Sequence, residues 1–590
     1  MLVSTPLRRG SSRVLRGVWR VGLLGVAVLV MGALVGWAQA PVPVPTQQAQ
    51  GDPPAEVARV SSMLGNVSLE PASVDQFSAA QVNDVLTSGD RVYADAGANA
   101  ELETGELAVR MGQQTDLTIT AMTDQLEQFG LAQGEVHLRS FALPLGTTVE
   151  LDTPNAAVTV LQPGDVRVDV APDGGTTTVE VVSGQAQVDG NGFQQVLEPG
   201  QRVQLSGSNP VSAQELDVAT PDGLDGFSND RDAAYENAGQ GEEAYMNPET
   251  IGAEDLSANG DWETDADDGA VWYPTAVAVG WAPYSFGHWV WVAPWGWTWV
   301  DSYAWGFAPF HYGRWIHKGS RWGWIPGSTA VRPVYSPAMV AFVGGAGLTA
   351  WFPLGPHETY VPWYHASPLY ENRVNVSNLY DRNVNEVRAI YNQQTLAGAY
   401  ASGVEHGYVN RSVATVAVTQ ASFAAGRPVV RVSAEALGSA PVTPHPLVTP
   451  ERTTVVAAAA KAVPAQLARP VMASKPVLEE RTSEDLTQQE PAGGTVQGVV
   501  AGGAGQRTVS APATLFHKAV PPEPRPSFDQ QQKAIETTDP GRPLGPQQME
   551  NLRQNRPAGP PEQREAPHPA PAPRPAPRPA PAARPSEPRH

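Results

Sequence analysis

Between Gly260 and Tyr364 the chain carries fourteen of its sixteen tryptophans, and no other feature restricts its fold so strongly. Tryptophan is costly to leave in water, and its N–H needs an acceptor when buried. Such a density must fill a core, line a binding face, or do both. The stretch is a repeat: Gly260-Asp261-Trp262 recurs as Gly287-His288-Trp289 and as Gly313-Arg314-Trp315, at spacings of 27 and 26 residues. A second aromatic corner follows each, nine or ten residues later, at Trp272-Tyr273-Pro274, Trp299-Val300-Asp301 and Trp324-Ile325-Pro326. A degenerate fourth corner stands at Trp351-Phe352-Pro353.

Inside a unit, Trp289-Val290-Trp291 and Trp295-Gly296-Trp297-Thr298-Trp299 alternate large apolar with smaller residues. Period-2 alternation of aromatic and β-branched residues predicts short strands, and Pro294-Trp295-Gly296 and Lys318-Gly319-Ser320 supply turn chemistry. Each unit reads as a β-hairpin too small to bury its own rings, so stacked hairpins would share one aromatic core. Two readings of the tryptophans stay open: core and turn staples, or an exposed platform for sugars and cell-wall polymers. On the second, Trp289, Trp291, Trp297, Trp299, Trp315 and Arg314 are the candidate binding residues.

Length and composition bound the remainder. The chain of 590 residues has room for several domains, but 56 Pro and 56 Gly imply that part of it is not globular. A formal net charge of -21 argues against binding nucleic acid by phosphate neutralisation. No cysteine is present, which removes disulfides, thiolate metal sites and a cysteine nucleophile. No HExxH, nucleophile elbow or recognisably spaced carboxylate pair appears, so no enzyme, cofactor or metal is expected. The histidines among the tryptophans (His288, His311, His317, His357 and His365) are expected to serve ring edges and faces.

Residues 1–40 read as an export signal or signal anchor. Arg8, Arg9, Arg13, Arg16 and Arg20 precede an apolar run from Val21 to Val35, and Ala38-Gln39-Ala40 offers a cleavage site. Cleavage after Ala40 faces Pro41, so cleavage after Ala38 is the rival. The basic residues before the run place the remainder outside the cytoplasm, in the periplasm or at the cell surface, with membrane contact only through an uncleaved N-terminal segment.

After a linker (41–55), residues 56–205 read as an all-β domain. Asp165-Val166-Arg167-Val168-Asp169-Val170 alternates, Asp173-Gly174-Gly175 turns, and Thr176 to Val182 forms the next strand. The region resembles the FecR-type extracytoplasmic domain. The resemblance rests on an ordered set that includes Gly65-Asn66-Val67, Gly89-Asp90, Asn99-Ala100-Glu101-Leu102, Leu107-Ala108-Val109-Arg110, Gly134-Glu135-Val136, Asp152-Thr153-Pro154-Asn155-Ala156, Gly164 to Val170, Gly184-Gln185-Ala186 and Pro199-Gly200-Gln201. It implies a β-sandwich or rolled sheet, in a family of envelope regulators of sigma factors. Those regulators carry a cytoplasmic domain before their membrane helix, and about twenty residues here are too few for one.

Residues 206–255 read as a solvated acidic linker. From Glu215 to Asp268 there are seventeen Asp or Glu and one basic residue, Arg231. Asp222-Gly223-Leu224-Asp225-Gly226 lacks the ligand order and closing Glu of a calcium loop. The Trp-rich hairpin repeats (256–365) and their Asn-rich extension (366–430) resemble an uncharacterised Trp-rich domain that follows FecR-type domains in exported bacterial proteins. The match runs from Trp281-Ala282-Pro283-Tyr284 through Gly323-Trp324-Ile325-Pro326 to Tyr360-Val361-Pro362-Trp363-Tyr364. Residues 431–590 read as a disordered Pro/Ala-rich tail, with every second residue proline from Pro567 to Pro581.

The expected protein is thus mainly β, exported and non-catalytic. It would bind or scaffold a cell-wall glycan or an envelope protein through its FecR-like and Trp-rich modules. The alternative is a periplasmic sensor of a FecR-type signalling system, acting through a separate membrane partner.

Overall fold

The computed structural model describes residues 51–242, 245–379, 408–437, 440, 442–455, 477–479 and 514–554. The expected export segment and the Pro-alternating run from Pro567 lie outside them.

Fifteen strands between Ala58 and Leu216 hydrogen-bond into one continuous mainly antiparallel network. Its main path runs from Ser212–Leu216 through Arg202–Ser206, Thr176–Gly190, Ala157–Val170, Thr148–Asp152, Leu126–Ser140, Leu107–Met111, Asn99–Glu103 and Ala58–Leu64 to Val85–Leu86. The alternating valines behave as their spacing requires: Val166, Val168, Val170, Val179 and Val181 all enter an aliphatic core with Leu102, Val109, Phe129 and Leu138. The sheet rolls because its longest strands serve two sets of neighbours. Leu126–Ser140 pairs through its first half with Asp116–Met122 and Thr148–Asp152, and through its second half with Leu107–Met111 and Ala157–Val170. Gly134 sits at the changeover with φ +97°, where a Cβ would lie 2.4 Å from the Thr115 Cα. Only glycine fits there.

The tryptophan repeat is a series of hairpins. Gly260–Asp265 pairs with Gly269–Pro274, Gly287–Val292 with Gly296–Asp301, Arg314–Lys318 with Arg321–Ile325, and the degenerate unit is Val340–Gly345 with Leu348–Pro353. Each sets an aromatic pair directly across its strands, Trp262↔Trp272, Trp289↔Trp299, Trp315↔Trp324 and Phe342↔Trp351, and the second hairpin adds Trp291↔Trp297. The first and third hairpins join edge to edge through Trp272↔Trp324. The repeated glycine has a direct cause. A Cβ on Gly260 would lie 2.3 Å from the Trp272 indole, one on Gly287 2.6 Å from Trp299, and one on Gly313 2.7 Å from Trp324. The cross-strand indole folds back over the glycine that opens its hairpin.

Residues 206–255 are not a free linker. Ser212–Leu216 adds an edge strand, and Gly223–Glu242 is a helix laid against the rolled sheet. Its acids meet arginines of the sheet: Asp222 and Asp225 accept from Arg167, and Asp232 accepts from Arg110 and Arg139. The physical reason is charge pairing, which a local count of acids does not reveal. Within the region read as a disordered tail, Thr514–Phe516 forms a short strand, Phe528–Thr538 and Pro546–Gln554 form helices, and Phe528 and Ile535 enter the aromatic core. Among the described residues no helix is long and apolar enough to cross a membrane.

Candidate functional site

The six residues expected to form a stacking face are all buried: Trp291 is 5% exposed, Trp289 and Arg314 2%, and Trp297, Trp299 and Trp315 0%. None presents a ring face to solvent, which corrects the platform reading. Trp289 packs edge-on against Trp299, Trp351 and Trp363, and Trp297 packs on Phe423 at 4.4 Å between centroids. The Trp315 N–H donates to the Pro309 carbonyl and the Trp299 N–H to the Asp301 carboxylate. Arg314 donates to the carbonyls of Gly313, Glu358 and Asn378, so it clamps the helix Pro368–Asn378 onto the hairpins. Burial lowers its pKa to about 10. The rings turn inward because four small hairpins need large side chains to reach one another across a shared core, with aliphatics such as Met339, Val340 and Leu354 filling in around them.

Of the five histidines named among the tryptophans, His288 and His311 are buried, whereas His317, His357 and His365 are exposed. Burial lowers His288 to about 4 and His311 to about 3, so both are neutral near pH 7. The His311 Nδ1 faces the Ser336 carbonyl at 2.8 Å.

The polar chemistry lies elsewhere, on a seam between the rolled sheet and the hairpins, and it is reciprocal. Arg59 leaves the sheet and reaches Glu254 at 2.7 Å and Asp255, with Glu103 of the sheet at its Nε, and its guanidinium lies over the Phe307 ring. Arg332 leaves the hairpin side and reaches Glu56 and Glu106, both at 2.6 Å, with Glu249 at 3.1 Å. Arg373 adds a contact to Asp124, and the Tyr335 N–H donates to the Ala55 carbonyl.

Around Arg332 the acids outnumber the cations. Burial and the neighbouring Glu106 push Glu56 up to about 8, and burial and Glu56 push Glu127 up to about 8. Burial also raises Glu106 to about 7 against the pull of Arg332. A cluster of this kind holds protons at neutral pH instead of full negative charge. Oxygens of Glu56, Glu106 and Glu249 lie within 4.8 Å of one another, a spacing that suits a cation. The Arg332 guanidinium already stands among them in that role.

The sequence signal for this seam was present but ambiguous. Glu101-Leu102-Glu103 puts charge on one parity of its strand and the aliphatic on the other. Alternation separates the faces; it does not say that the charged face will be covered.

The matched family agrees with this architecture in extent. Residues 253–358 match a family of unknown function, DUF6600, a span that takes in all four hairpins. The FecR-type resemblance of residues 56–205 continues to rest on its own residues. Two crystal structures of a protein named as an anti-sigma factor from Parabacteroides distasonis, at 2.50 and 1.65 Å, are similar at 18% identity and a TM-score of 0.20. Each match covers 22% of this chain, and the chain spans 60% of those structures' length. No curated protein matches.

Proposed function

We propose that this chain is an exported, non-catalytic envelope scaffold whose partner is a protein. The observation that carries the reading is the inward turn of the predicted stacking residues, combined with the ionic seam that joins the two β modules. An aromatic platform for glycan needs open ring faces, and the six candidate residues have none. A rigid pair of modules with buried rings instead offers loops, strand edges and polar surface, the materials of protein recognition. The basic residues and apolar run of residues 1–40, read as an export signal, support an envelope location for that surface.

The seam favours a second reading, in which the chain is a sensor acting through a separate membrane partner. Carboxyls that hold protons near neutral pH make the joint between modules responsive to acidity.

Crosslinking in cells followed by affinity purification of the full chain, run beside sedimentation of the purified chain with isolated sacculi, tests the first reading. A specific crosslinked protein is expected, with the purified chain left in the supernatant. Sedimentation with protein-stripped sacculi and no crosslinked partner would overturn it.

A further inference from the structure

The tail segment Thr514–Ala519 lies in a groove of the rolled sheet and is held there as a ligand is held. The Phe516 N–H donates to the Thr153 carbonyl at 2.8 Å, an antiparallel bridge onto the end of Thr148–Asp152. The N–H groups of Lys518 and Ala519 both donate to one Glu150 carboxylate oxygen at 3.0 Å, and the Gln128 amide donates back to the Ala519 carbonyl. The Lys518 ammonium reaches Asp189 at 2.8 Å. Leu515 is 2% exposed and fills a notch made by a glycine: a Cβ on Gly130 would stand 2.7 Å from the Leu515 Cδ1. The groove therefore reads three things: an extended backbone, a leucine, and a lysine three residues later. This is the division of labour by which sheet edges recognise peptides, with main-chain bonds for affinity and pockets for specificity.

The fit is incomplete. Gln128 Oε1 and His517 Nε2 are buried without a hydrogen-bond partner among the described residues. Burial beside Glu150 also drives the Asp152 carboxyl well up. Orphaned buried polar atoms weaken the docked state, so this occupant is poorly bound for the number of contacts it makes.

We propose that this groove is a recognition site for an extended peptide, that Thr514–Ala519 is its exchangeable resident, and that the ligand in trans is an extended segment of another protein carrying leucine followed three residues later by lysine. Only the identification of that ligand as an envelope protein rests on the scaffold reading; the groove is tested without it.

The probe is a fluorescent synthetic peptide of residues 512–520, titrated by anisotropy into the full chain and its variants, each checked by near-UV circular dichroism. Leu515→Asp should release the resident and bind the peptide, while the wild type binds at least about tenfold more weakly because its own tail competes. Adding Gly130→Ala should close the notch: in the emptied groove its Cβ meets only Thr120 Oγ1 at 3.4 Å and Thr118 Cβ at 4.0 Å, so the sheet tolerates it. Binding should then fall about ten- to a hundredfold, as it should for a peptide with alanine at the leucine position.

A folded Leu515→Asp chain that does not bind the peptide would overturn the proposal. So would equal binding to Leu515→Asp and to the Leu515→Asp/Gly130→Ala double variant. If Leu515→Asp and Lys518→Glu both unfold the chain, the segment is part of the fold and not an exchangeable resident. Failure to find an envelope partner in cells, with peptide binding intact, would count against the scaffold reading alone.

Discussion

The two β modules solve one problem with different materials. The rolled sheet of Ala58–Leu216 buries valine and leucine on one parity of long strands and needs glycine where a strand changes partners, as at Gly134. The hairpin module has strands of five or six residues, too short to build a core from aliphatics, and uses a cross-strand pair of large rings in each unit. Its glycines make room for the indole overhead and, at Gly287 and Gly313, for a carbonyl of the facing strand as well, whereas Gly134 marks the place where a strand changes partners. Small β units can therefore share one core if each contributes rings big enough to reach the others, and the repeat motif records that requirement.

The largest expected effect breaks the hairpin side of this comparison. Gly313 has φ +65°, and a Cβ there would lie 2.2 Å from the Ile325 carbonyl and 2.7 Å from the Trp324 Nε1. Gly313→Ala should cost more than about 4 kcal/mol, read as loss of near-UV circular dichroism and a red-shifted tryptophan emission. Retention of the native spectrum would show that the indole does not need the glycine.

Next comes the seam. Arg332→Ala leaves Glu56 and Glu106 without their cation and should destabilise by about 3–5 kcal/mol. All fourteen tryptophans of the described residues sit on the hairpin side, so fluorescence follows that module while far-UV circular dichroism follows both. In urea the two transitions should coincide for the wild type and separate for Arg332→Ala. Coincident transitions in the variant would mean that the modules are coupled by other contacts.

A smaller effect is the pH dependence. Glu56, Glu106 and Glu127 have raised pKa values when folded, so the native state binds more protons than the unfolded chain between about pH 4.5 and 8. Their contribution is fully present below about pH 4.5 and is lost as pH rises through 7–8. Thermal midpoints should fall from pH 5 to pH 8.5 by an amount equivalent to at least about 1 kcal/mol, and Glu127→Gln should flatten the slope. A midpoint that rises over this range in the wild type would contradict the buried protonated cluster.

The smallest effect is at the surface of the hairpin sheet. Arg321 forms a solvent-exposed two-pronged pair with Glu263 and lies over the buried Tyr273 ring at 4.1 Å. Arg321→Ala should move the thermal midpoint by no more than about 2 °C, and a larger shift would give this surface a structural part in the module.

Much of the fold was legible from residues alone. The hairpins and the shared aromatic core follow from the Gly-x-Trp repeat and the period-2 alternation. The strands around Asp165 to Val182 follow from alternation and turn glycines. The candidate site was not legible in the same way. Trp289, Trp291, Trp297, Trp299 and Trp315 could be named as the important rings, but an alternating strand has two faces, and which one meets solvent depends on what packs against it. The seam acids and Arg332 were invisible as a group, because Glu56, Glu106, Glu127, Glu249 and Arg332 are spread over more than 270 residues.

By itself, then, the sequence determined the local geometry: where strands turn, and where a ring displaces a Cβ. These are effects of neighbours within a hairpin, and their range is a few ångströms along a short chain segment. Only the tertiary structure decided which polar groups lost their water. Burial sets whether Glu127 is a solvated anion or holds a proton, whether Asp232 decorates a linker or pairs with Arg110, and whether Leu515 belongs to a loose tail or fills the notch at Gly130. Desolvation is a property of the whole assembly of surfaces, and no short stretch of residues carries it.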